Sequence, residues 1–212
     1  MYICASFLCM SKGENTKQRI IEVATPIFNK KGIFGTSMSD IMEVAQLSKG
    51  SLYVHFEDKD SLAFAVLEHS LALQNKKLST AMDHIEGPYE KLLAYLQVYH
   101  DPMNPTVPGG CPMMNFGMEA DDNFPLVKER VHKAVEARQA FLEGILKTGI
   151  QQGIFKRGWN YPEFATLIFA TIQGGIMICR IAGSNAKMKG ILDQLKSQIQ
   201  DQLINKEPSQ LS

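Results

Sequence analysis

Two short helical segments, each opened by its own capping residue and separated only by Gln46, Leu47 and Ser48, constrain the fold of this chain more than any other feature. Ser37-Met-Ser-Asp40 has the spacing of a capping box: the serine oxygen accepts an N–H of the first turn, and the carboxylate accepts the serine N–H. Ile41, Val44 and Ala45 then repeat at helical spacing. Ser48 is placed to cap a further helix from Lys49 to about His55. Helices this short are marginal alone and need a packing partner. The stripe Ile20, Ile21, Ala24, Ile27 and Phe28 supplies one, with Asn15 or Thr16 as its cap and Gly32 just past its end. Pro26 inside that stripe has no N–H for the Glu22 carbonyl, which predicts a bend.

The rest of the chain also reads as helix. Asp58 can cap a segment striped by Leu62, Ala65, Val66, Leu73 and Leu78, which runs toward Asp83 before Gly87-Pro88 breaks it. A helical pattern covers 89–99, the prolines and glycines of 101–112 predict a loop, and a short helix over 113–120 follows. Val127, Val131, Val135, Phe141, Leu142, Ile145 and Leu146 place a long helix over 125–152, closed by Gly153. Residues 162–182 are apolar almost all round. Their length matches a membrane span, but Glu163, Gln173 and Arg180 and the absence of similar segments favour a helix buried in protein, with no membrane partner. Ile191, Leu192, Leu195, Ile199 and Leu203 stripe a last helix, and 207–212 reads as a frayed tail. No strand pattern of any length occurs. The expected fold is all-α, with a three-helix unit over 15–60 and a larger helical body over 61–206.

Composition bounds the function classes. Hydrophobic residues make up 45% and charged residues 21%, as in ordinary globular proteins. Lys+Arg and Asp+Glu both number 22, so any attraction to a polyanion must be local. The four cysteines, Cys4, Cys9, Cys111 and Cys179, lack CxxC spacing and indicate neither a disulfide framework nor a metal site; a reducing, cytoplasmic setting is expected. Residues 1–10 are apolar but carry no basic flank. The polar run from Met10 onward reads as a usual protein start, so 1–14 is expected to be a disordered leader from an upstream start codon rather than a signal. The sequence presents no nucleophile–base pair, paired carboxylates, HxxxH motif or phosphate loop, so neither an enzyme nor a cofactor is expected.

From Thr16 to Leu62 the sequence resembles the TetR/AcrR family of bacterial regulators. The residues that carry the resemblance are Thr16, Arg19, Ile20, Ala24, Phe28, Gly32, Thr36-Ser37-Met38, Ile41, Ala45, Ser48-Lys49-Gly50-Ser51-Leu52-Tyr53, His55-Phe56, Lys59 and Leu62. The resemblance implies an N-terminal helix-turn-helix DNA-binding domain and a C-terminal helical ligand-binding and dimerisation domain. A helix that enters the major groove needs short polar or basic side chains at its leading end and close backbone approach, which Ser48, Lys49, Gly50 and Ser51 supply. Tyr53 and His55 are expected on flanking phosphates. Thr36, Ser37 and Lys59 lie at two further helix starts, where N–H groups favour an anion. By resemblance, Lys49, Ser51 and Tyr53 lead the contacts with double-stranded DNA. Gln46 departs from the family pattern, which has glycine at that turn; a left-handed Gln46 costs on the order of 1 kcal/mol relative to glycine.

The resemblance also implies a homodimer through the last two helices, about 162–182 and 187–204, and a small-molecule effector in the body. Gly174-Gly175 and Gly183 are candidates for close helix approach. Tyr95, Tyr99, Cys111, Met114, Asn115, Met118, Phe141 and Gln173 are the candidate pocket residues, each with ordinary core packing as its alternative. Cys111 near a helix start is either an inert buried thiol or an electrophile and oxidant sensor with a lowered pKa.

Overall fold

Capping and apolar spacing lay down the helices in the expected order. The computed structural model describes residues 12–204, and among them are nine helices and no strand. They are α1 (Lys12–Lys31), α2 (Met38–Ala45), α3 (Lys49–His55), α4 (Lys59–Met82), α5 (Pro88–Val98), α6 (Pro112–Ala120), α7 (Pro125–Gln151), α8 (Tyr161–Ala182) and α9 (Ala186–Gln200). Helix α1 begins before Asn15 and Thr16, so neither is its cap, and 12–14 are helical rather than part of a leader. The expectations for 1–11 and for the tail 207–212 lie outside the described residues. Helix α1 continues through Pro26 to Lys31.

The head packs α1 against α2 and α4. Its core is Ile20, Ala24 and Phe28 from α1, Ile41 and Ala45 from α2, Leu52 from α3, and Phe56 and Leu62, all buried. Each large apolar side chain buried this way contributes about 1.5–3 kcal/mol. The body is a stack in which α7 meets α5, α6 and α8, and α8 meets α9. Helix α4 spans both units, touching α1 at one end and α5, α6 and α7 along its length. Arg130 of α7 forms an ion pair with Glu68 of α4. Leu203 lies beyond the end of α9 and pairs with Phe155 in an isolated bridge.

Helix α8 departs from the expected all-round burial. Phe164, Ala165, Ile168, Ile172, Gln173, Gly175, Ile176 and Cys179 are buried, whereas Leu167, Met177, Ile178 and Ile181 are exposed. The apolar circumference therefore exceeds what α7 and α9 cover. The glycines divide too. A Cβ on Gly175 would lie 3.1 Å from Ile191, so Gly175 serves packing within the chain, and Gly183 is the left-handed C-cap of α8 with φ 62. Gly174 faces open space, as does Gly190 of α9.

Candidate nucleic-acid interface and effector cavity

Local hydrogen bonds shape the turn that leads from α2 into α3. Ser37 accepts from the Asp40 N–H at 3.1 Å and its own N–H donates to Asp40 Oδ2 at 2.9 Å, closing the capping box of α2. That carboxyl is held below its ordinary value mainly by the Ser37 backbone bond. Gln46 ends α2 with φ 55 and ψ 46, so the family glycine position is left-handed here without glycine. Its N–H still reaches the Glu43 carbonyl at 3.2 Å. Ser48 then caps α3 by accepting from the Ser51 N–H at 3.3 Å.

The two faces of α3 divide cleanly. Leu52 is fully buried, while Lys49, Gly50, Tyr53 and Val54 are exposed. The Lys49 ammonium lies 5.8 Å from the Tyr53 ring centre, which holds both on the outward face. A Cβ on Gly50 would meet nothing within 4 Å, so the protein itself does not require glycine there. Ser51 and His55 are half-buried at the edges of this face. Lys59 opens α4 beside its cap Asp58, whose carboxylate accepts from the Ser61 N–H at 2.7 Å.

One expected phosphate ligand is misplaced. Thr36 is buried and its hydroxyl donates to the Gly32 carbonyl at 2.6 Å, so it fixes the α1–α2 turn instead of offering its side chain to a ligand. Val54, 81% exposed, was not among the expected contacts. Exposed beside Tyr53, it is suited to a thymine methyl.

In the body, a cavity of about 340 Å³ lies between α4 and α7, with Leu71, Leu78, Met82, Met113 and Phe141 as apolar walls and Asn75, Arg130 and Arg138 as polar groups. A smaller cavity of about 50 Å³, on the other side of Leu78, is lined by Gln74, Tyr99, Asp101, Gly110 and Cys111. Of the expected pocket residues, Phe141 lines the larger cavity and Tyr99 and Cys111 the smaller. Tyr95 is buried behind Tyr99, ring centres 5.3 Å apart. Burial raises the Tyr95 phenol well above its ordinary value.

The others serve different ends. Met118 is 80% exposed and lines neither cavity, and Met114 packs against the core. Asn115 donates to the Asn29 main-chain oxygen at 2.8 Å and to the Gly109 carbonyl at 3.2 Å, so its amide joins α6 to α1. Gln173 is buried in α8 with its side-chain oxygen unpartnered and lines neither cavity. Cys111 sits at the N-cap of α6, yet burial pushes its thiol up rather than down. The desolvation of the thiolate outweighs the N–H groups of Met113 and Met114.

Arg138 was missed although a signal was present: it interrupts the apolar stripe Val131, Val135, Leu142 and Ile145 with a cation at a core position of α7.

Residues 20–66 match the model of the bacterial regulatory proteins of the tetR family, and 88–195 match a tetracyclin repressor-like C-terminal domain. A TetR-family regulator from Cytophaga hutchinsonii superposes with a TM-score of 0.87 at 31% identity, covering 93% of this chain and 99% of its own. A TetR regulator from Chloroflexus aurantiacus gives 0.88 at 30% identity, covering 92% and 98%. The transcriptional repressor DhaR of Mycobacterium sp. strain GP1 is 25% identical over 78% of this chain and 82% of its own length. With both the head and the body matched, the chain belongs to the TetR family of helix-turn-helix transcriptional regulators.

Proposed function

We propose that this regulator is a homodimeric repressor that reads a palindromic operator with α3 and leaves it when a small molecule fills the cavity between α4 and α7. The outward face of α3 carries the reading: Lys49, Tyr53 and Val54 are exposed around Gly50, whose open backbone allows close approach to base edges. The relative DhaR, named a repressor, supports the direction of control. The site of action is the cytoplasm.

Reading two half-sites one helical turn apart requires two recognition helices, and a second copy is the natural cover for α8 and α9. Leu167, Met177, Ile178 and Ile181 leave an apolar face there, beside the open glycines Gly174 and Gly190. Helix α4 supplies the coupling. Lys59 at its start follows α3 closely, and Leu71, Asn75, Leu78 and Met82 further along line the cavity. A ligand that displaces that wall shifts the population away from the operator-binding spacing. The buried Cys111 thiol, with its raised pKa, favours a non-covalent effector over an oxidant or electrophile.

Selection of genomic DNA fragments by the purified full-length protein tests the reading. A palindrome is expected, its enrichment lost in Lys49→Ala and Tyr53→Ala. No enriched site, or unchanged enrichment in both variants, defeats it. Sedimentation of Ile178→Asp/Ile181→Asp, expected to yield monomer, tests the dimer face.

A further inference from the structure

The larger cavity holds a buried positive charge with no carboxylate to balance it. Arg138 is 7% exposed. Its guanidinium donates to the Asn75 side-chain oxygen at 2.8 Å and to the Tyr99 hydroxyl at 3.2 Å, both neutral acceptors. Among the described residues, the ion pairs are Lys31–Asp40, Lys128–Asp121, Arg130–Glu68 and Lys133–Glu129, so Arg138 belongs to none. The contrast with Arg130 is direct, since Arg130 lines the same cavity and has its own carboxylate. A guanidinium out of water and without a counter-charge is costly, and such groups are ordinarily paired.

We propose that the cavity between α4 and α7 binds an organic monoanion with an apolar body, its carboxylate taken by Arg138. This rests on the reading of that cavity as the effector site. Five N–H donors are available on a guanidinium; Asn75, Tyr99 and Tyr95, all neutral, are the side chains it meets, and Arg138 itself lines the cavity. The planar fork of donors matches a carboxylate, and one cation balances one negative charge, which disfavours a dianionic phosphate. Leu71, Leu78, Met82, Met113 and Phe141 take the apolar body. At about 340 Å³ the cavity stands at the small end of ligand sites, which span roughly 300–1,000 Å³. A short fatty acid or an aryl-alkanoate is of that class.

The test measures binding of decanoate, 4-phenylbutanoate and 1-naphthoate to the full-length protein by calorimetry, each against its primary amide. At least one carboxylate is expected to bind about tenfold or more tightly than its amide. Arg138→Met is expected to abolish that preference, leaving the amide's affinity unchanged. Equal affinities for acid and amide, no binding by any of the six, or a preference that survives in Arg138→Met overturns the proposal. The comparison in the unsubstituted protein stands even where the variant fails to fold. Because these measurements contain no DNA, they fail separately from the regulatory reading: a carboxylate that binds through Arg138 without releasing operator supports the site and removes only its effector role.

Discussion

The side-chain nitrogen of Asn115 on α6 donates to the main-chain oxygen of Asn29 on α1 at 2.8 Å and lies 3.0 Å from the Asn29 side-chain oxygen. The Asn29 amide in turn donates to the carbonyls of Pro108 at 3.1 Å and Gly110 at 3.2 Å. A buried polar knot thus ties the DNA-binding head to the loop before α6. The backbones approach so closely that a Cβ on Gly109, already at φ 115, would lie 2.7 Å from the Asn29 carbonyl oxygen. Removing one member leaves buried acceptors unpaired, so Asn115→Ala is expected to cost about 1–3 kcal/mol. Urea unfolding checks this, and an unchanged midpoint would mean that water replaces the amide without loss.

Gln46 holds a left-handed conformation that an L side chain resists. Gln46→Gly is expected to stabilise the protein by about 1 kcal/mol, since the capping bonds to Glu43 and Met42 use only the backbone. Thermal unfolding at matched concentration reads the effect. A lower melting temperature would show that the Gln46 side chain contributes more than its backbone strain costs.

Lys49 and Thr36 separate contact from scaffold. Lys49→Ala is expected to weaken binding to the selected operator by about tenfold or more while weakening binding to unrelated DNA much less, the signature of a lost base-edge contact. Thr36→Val removes the hydroxyl bond to Gly32 and is expected to lower stability while leaving the affinity of folded protein for DNA unchanged. Filter binding to operator and to unrelated DNA distinguishes them. Weaker DNA binding by folded Thr36→Val would return that hydroxyl to the interface.

The caps make the head acid-sensitive. Asp40 and Asp58 are each held below the ordinary carboxyl value of 3.8, first by the backbone N–H bonds from Ser37 and Ser61 respectively. The folded state therefore binds these protons less readily than the unfolded chain. Their contribution is complete above the ordinary value and is lost as pH falls through the depressed folded value. The difference in melting temperature between the unsubstituted protein and Asp58→Ala is expected to shrink from about pH 5 to about pH 3. A difference that stays constant over that range would exclude the ionised cap as its source.

Much of the local geometry of the candidate interface was legible because it rests on short-range contacts. The capping box Ser37–Asp40, the left-handed Gln46 and the cap Ser48 are bonds between residues a few positions apart, and Leu52 and Phe56 announce the inward face by spacing alone. Thr36 was misread because the bond that occupies it depends on how the α1–α2 turn closes on Gly32. The cavity was misread more widely. Tyr99, Cys111 and Phe141 were placed by their chemistry, but Asn115, Met118 and Gln173 share that chemistry and face elsewhere.

The sequence by itself determined the order of the helices, the caps of α2, α3 and α4 and the inward face of α3, because each depends on periodicity and on hydrogen bonds within one or two turns. Only the tertiary structure decided that Arg138 stands over the cavity without a carboxylate, that α8 keeps an apolar face uncovered, and that Asn29 and Asn115 join head to body. Each of those facts depends on which of many chemically suitable partners packing brings within a few ångströms. Residues as far apart as Asn75 and Arg138, or Asn29 and Asn115, meet only when α4 closes on α7 and α1 on α6.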